Sequence, residues 1–234
     1  MDERRPDDGL AWMGRHAFTP RLPKPVPGMR AGISLTAIRG ADPAGFLLRL
    51  RALRESVEQP VAYRDFRLPE PLRGFGSPLH EVAMHGTCGE WTFVLDDHGA
   101  ATWFLAQFDV PEALPRRDEE LVCLTLNRHD SPCLIAYSPP GIDGVYTAEF
   151  GEGLLEFRHG TPEDPAGAVA AFDEALARAG AVHSRLDPAR SWRDVVPAER
   201  NAPVFRAVGD HFGITVDRDQ VEQGLLPAVA LPLP

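Results

Sequence analysis

Between residues 79 and 159 the chain holds six short runs of five to seven residues, separated by clusters of turn formers. Runs of this length between turns read as strands. Turns at this spacing join neighbouring strands antiparallel. The runs are Leu79–Met84, Glu90–Leu95, Glu120–Leu126, Cys133–Tyr137, Val145–Phe150 and Leu154–His159. His85-Gly86-Thr87-Cys88-Gly89 joins the first two, and Gly151-Glu152-Gly153 the last two. Ala100–Phe108 fits either a strand or a short helix.

Helices flank this region. An earlier strand over 31–38 places Ile33, Leu35 and Ala37 on one face and ends at Gly40. Asp42 is an N-cap with Pro43 at the first helical position. The helix it opens runs to about Ser56 and buries Phe46, Leu47, Leu50 and Leu53. After the sheet, Thr161 or Asp164 caps a helix over Pro165–Ala179, with Val169, Phe172 and Leu176 inward and Gly180 as its stop. Val204–Phe212 and Asp217–Leu226 read as two further helices. The expected fold is α+β: an antiparallel sheet meander with an early helix and C-terminal helices packed on one face. Residues 1–29 read as a Pro-rich N-terminal arm, 30–226 as a single α+β domain, and 227–234 as an apolar tail. Trp12, Met13 and Phe18 of the arm are expected to dock on the body.

The formal charge of −10 repels a phosphate backbone, so no nucleic-acid partner is expected. The three cysteines, Cys88, Cys123 and Cys133, form no CxxC pair, which fits reduced thiols in a cytoplasmic protein. No apolar run approaches the ~20 residues of a membrane span.

Chemistry-bearing motifs are sparse. His80, His85 and Cys88 lack the spacing of a structural zinc site, and strand alternation sends the two histidines to opposite faces. Cys123 and Cys133 read as packing residues. Asp96-Asp97-His98-Gly99 and Asp143-Gly144 have turn chemistry. There is no G-x-S-x-G, P-loop, G-x-G-x-x-G, H-E-x-x-H or EF-hand loop. No cofactor and no metal are expected. Ligand-binding candidates are the polar groups at strand ends: Arg39, Asp96, His98, His129 and Arg158.

The reading these features favour is a non-enzymatic protein-binding or regulatory module with a protein partner. The alternative is an enzyme acting on a small molecule at one end of the sheet through Asp96, His98, His129 and Arg158, with Arg39 capturing an anion. A third possibility is an accessory protein that oligomerises through Val229-Ala230-Leu231.

The stretch Gly32-Ile33-Ser34-Leu35-Thr36-Ala37-Ile38-Arg39-Gly40-Ala41-Asp42-Pro43, followed by Leu47, Arg49 and Leu50, resembles the opening of an uncharacterised actinobacterial, Streptomyces-type family of unknown function. The Trp91–Gly99 strand and turn, Asp143-Gly144, Arg158-His159-Gly160-Thr161-Pro162 and Phe205–Thr215 are similar to that family in the same order. The resemblance covers roughly residues 31–226 and implies a small α+β domain of actinobacterial origin. It implies no activity, substrate or residue roles.

Overall fold

Eight antiparallel strands in the order β7-β6-β5-β4-β1-β3-β2-β8 form one sheet in the computed structural model. The model describes residues 9–16, 28–29, 32–69, 80–96, 103, 110–126, 133–151, 153–163, 167–182 and 197–232. The strands are β1 Ser34–Arg39, β2 His80–Cys88, β3 Trp91–Asp96, β4 Glu120–Thr125, β5 Leu134–Ser138, β6 Gly144–Glu149, β7 Glu156–Gly160 and β8 Ala228–Pro232. The helices are α1 Ala11–Arg15, α2 Pro43–Arg49, α3 Arg54–Glu58, α4 Ala168–Arg178, α5 Pro197–Phe212 and α6 Arg218–Glu222. The α+β class and the antiparallel sheet are as expected.

From β4 to β7 the sheet is a meander. The first strand in sequence, β1, sits at the centre between β4 and β3. The hairpin β2–β3 is tighter than the sequence reading. His85 to Cys88 continue the strand, and Cys88 pairs with Trp91. The turn therefore shrinks to Gly89-Glu90, with Gly89 at φ 57° in the first central position, where a two-residue hairpin favours glycine.

The sheet is covered on both sides. Leu35, Phe93, Leu124 and Ile135 point to one face, beneath α1, α4, α5 and α6, so the C-terminal helices share a face as expected. Ile38, Val94, Leu121 and Val145 point to the other, where Phe46, Leu47, Leu50 and Trp103 cover them. The early helix thus takes the opposite face. It is also interrupted. Arg51 adopts φ 62° while Arg51 N–H donates to Leu48 O and Ala52 N–H to Leu47 O. That pair of bonds is a Schellman stop, so α2 ends there and α3 begins afresh.

Several sequence boundaries move. The N-cap of α4 is Gly167, without a side-chain bond, and neither Thr161 nor Asp164. The helix predicted from Val204 starts at Pro197. The apolar tail is a strand: β8 pairs with β2 from His80↔Pro232 to Met84↔Ala228. Val229, Ala230 and Leu231 are buried within the fold, so they do not offer the free surface that the oligomerisation possibility requires.

Both sheet edges are guarded. On β8, Ala230 N–H donates to Ser56 Oγ at 3.2 Å, Ala230 O accepts from Leu53 N–H, and Ala228 N–H donates to Val61 O. On β7, Val145 pairs with His159 and Tyr146 with Phe157, leaving Arg158 as the extra residue of a bulge. Bulges and charges at an edge oppose edge-to-edge pairing.

Residues 9–16 of the N-terminal arm dock as expected, with Ala11–Arg15 as a short helix. Trp12 and Met13 are buried, and Trp12 Nε1–H donates to Val216 O at 3.2 Å. Phe18 lies outside the described residues. Five residues are too few for a stable isolated helix, so tertiary contact holds α1. Gly14 lets it approach α5: a Cβ there would lie 2.6 Å from the backbone of Asn201 and Ala202. Gly14→Ala is expected to cost about 1–3 kcal/mol by overpacking. Urea unfolding checks this, together with a red shift of tryptophan emission as Trp12 loses its seat.

Candidate functional site

Among the described residues, the sequence candidates Arg39, Asp96 and Arg158 lie apart. Arg39 ends β1 and pairs with Trp91, whereas Asp96 ends β3 at the other end of the same ladder, opposite Ser34. Arg158 is exposed on the edge strand β7. Five inter-strand steps separate Asp96 from Arg158 in the sheet order. At about 4.8 Å each, that is roughly 24 Å. His98 and His129 lie outside the described residues. His80 and His85 point to opposite faces of β2, because the strand runs unbroken between them.

Arg39 is already engaged. Its guanidinium pairs with Glu120, and its Cζ lies 5.2 Å from the centroid of the Trp91 ring. Tyr137 Oη donates to Glu120 Oε1 at 2.9 Å. Trp91 is held in turn by its Nε1–H, which donates to Phe212 O at 3.0 Å. Beside this group His211 stacks on Phe172 at 5.4 Å. Burial lowers the His211 pKa, the negative charge of Glu120 opposes that shift, and the positive charge of Arg178 adds to it. The Arg39 side chain is 42% exposed, but the almost wholly buried Glu120 carboxylate already offsets its charge, which weakens its hold on a second anion. Tyr137→Phe removes one donor from that carboxylate and is expected to cost about 1–3 kcal/mol. A shift of the urea midpoint at unchanged slope checks this.

The preceding residue repeats the device with a second arginine. Glu119 accepts from Arg49 through both carboxylate oxygens at 2.9 Å and from Arg116 N–H at 2.8 Å. Consecutive carboxylates thus tie β1 and α2 to the start of β4. The sequence reading missed both. The available signal was a Glu-Glu pair opening an otherwise apolar strand.

Among the described residues, the one strongly perturbed acid is also a residue that reading passed over. Glu81 lies on β2, two residues from the buried Ala83, and its pKa is pushed up to about 9. Burial is the main cause, followed by its hydrogen bond to Asp96 and by the Asp96 charge. Burial and the Asp96 carboxylate beside it both favour the protonated form of Glu81. His85, four residues along the same face, has its pKa lowered by burial. Perturbed acids gather at reactive centres, but buried structural pairs shift in the same way. Among the described residues no three His, Cys, Asp or Glu side chains are grouped to hold a metal ion. Cys123 and Cys133 are buried, as their packing role requires.

On the surface, a cleft of about 210 Å³ lies between α3 and the segment 59–69. Leu53, Val61, Phe66 and Pro69 supply its apolar wall, and Glu55 and Gln59 are among its polar lining. Enclosed small-molecule sites usually measure ~300–1,000 Å³. This cleft is below that range and open to solvent. Comparison with protein families, curated proteins and solved structures finds no match to this chain.

Proposed function

We propose that this chain is a non-enzymatic protein-binding module of regulatory type. The observation that carries the reading is the division of labour between interior and surface. Arg39 and Arg49, two cations that could serve a reaction, are each bound to a buried carboxylate. Glu81 and Asp96 are bound to one another. Large apolar side chains, by contrast, remain exposed at both edges of the sheet: Val61 and Leu225 on the two segments joined by the bridge Ala62–Pro227, and Leu154 and Phe157 at β7. Of these, Val61 lines the cleft, whose apolar wall it shares with Leu53, Phe66 and Pro69, and an exposed apolar patch of that kind favours a partner surface. The chain's charge of −10 favours a partner with a basic face, whose approach it would steer.

Affinity capture from a lysate of the native host, using the full chain as bait, tests the reading. A protein recovered in stoichiometric amount and released by raised salt is the expected result. Recovery of no stoichiometric protein at low salt would count against it.

A further inference from the structure

We infer that the groove holding α1 is an exchange site: two copies of this chain swap residues 10–16, each seating its arm in the groove of the other. The inference goes beyond the protein-binding reading and uses a different surface from the cleft, so either can fail alone.

The groove is shaped for this one segment. α1 lies antiparallel on α5, with Leu10 against Gly209 and Gly14 against Asn201 and Ala202. A Cβ at Gly209 would lie 3.3 Å from Leu10, and one at Gly14 2.6 Å from the α5 backbone, so each helix has a gap that the other fills. On the α6 side, Trp12 Nε1–H donates to Val216 O, and His16 Nε2 lies 3.3 Å from Glu222 Oε1. Leu10, Trp12 and Met13 are buried, yet α1 has no side-chain cap and is too short to hold itself as a helix. It behaves as a ligand carried on the chain, and the arm of an identical chain reproduces each of its contacts. In a closed two-fold exchange the groove is filled as before, so the connector decides between one chain and two.

The connector, residues 17–27, favours two. Each residue of Leu22-Pro23-Lys24-Pro25-Val26-Pro27 is a proline or precedes one, and both positions favour extended backbone. Six such residues span about 19 Å. Both ends of the connector are held on α6: His16 pairs with Glu222, and Met29 N–H donates to Val221 O at 3.2 Å. Within one chain the other five residues, 17–21, have to retrace that span, and at full extension they reach about 18 Å. Between two copies the extended run crosses once and nothing is retraced.

Analytical ultracentrifugation of the full chain, up to roughly the millimolar effective concentration of an arm on a short connector, tests the exchange. The native chain should dimerise. Replacing Pro23, Pro25 and Pro27 together by serine should weaken the dimer by about tenfold or more, because a flexible connector closes readily within one chain. Trp12→Ala disables the arm and leaves the groove, whereas Gly209→Leu fills the groove and leaves the arm. Each of these, shown to be folded by circular dichroism, should be monomeric alone, and their equimolar mixture should form a one-to-one heterodimer. A monomeric native chain, a dimer that survives Trp12→Ala or the proline replacement, or a mixture that stays monomeric would overturn the inference. The proline variant leaves the folded core untouched, so the test stays decisive even if one of the other two variants does not fold.

Discussion

Glu81→Gln raises the free energy of unfolding at pH 8 by about 2–4 kcal/mol and changes it little near pH 4. The sign follows from where the proton sits. In the folded chain Glu81 keeps its proton up to about pH 9, against an ordinary value of 4.5. The unfolded chain releases it near the ordinary value. Over that window the folded state binds the extra proton, so stability falls as pH rises. The contribution of the protonated acid is complete below pH 4.5 and is lost as pH climbs toward about 9. Glutamine keeps the shape and still donates to Asp96, but it has no proton to lose. Urea unfolding of both proteins from pH 4 to pH 9 should give a falling profile for the native sequence and a flatter one for the variant. Parallel profiles would mean that Glu81 is ionised inside the fold.

Glu119→Ala is the most damaging single change expected. Arg49 is 13% exposed and Glu119 3%, so removing the carboxylate strands a guanidinium away from water. Breaking a buried pair from one side costs about 3–5 kcal/mol. The loss extends beyond Arg49, because Arg116 N–H also donates to Glu119. For a domain of this size the melting temperature should fall by about 8–15 °C. The double variant Arg49→Met with Glu119→Leu should recover most of that loss, since apolar replacement of a whole buried pair is often neutral. A double variant as unstable as Glu119→Ala would show that the pair does more than satisfy its own charges.

Local signals made part of this fold legible in the sequence. Asp42 does cap α2, accepting from Gly45 N–H at 2.7 Å, and Pro43 opens the helix. The alternation of Ile33, Leu35 and Ala37 does mark one buried face. The errors lie where distant contacts decide. Helical periodicity runs through Leu53, but Leu53 N–H donates to Ala230 O, and that contact goes with a chain reversal at Arg51. Residues 228–232 are too short, and too close to prolines, to show a strand period. Their pairing with β2 spans about 150 residues and leaves no local trace. The candidate site was less legible. Arg39 and Asp96 stood out by position, but their partners Glu120 and Glu81 lie 81 and 15 residues away. Only the register of the sheet brings them together.

Quantitative affinity capture with three baits tests most directly whether the interior acids hold the fold while the surface cleft does the work. The native chain, Glu81→Gln and Val61→Asp are compared for recovery of the same partner, each shown to be folded by circular dichroism. The expected result is full recovery by the native chain and by Glu81→Gln, with loss by Val61→Asp. Loss with Glu81→Gln and full recovery with Val61→Asp would contradict it, and would move the function from the cleft to the carboxyl pair.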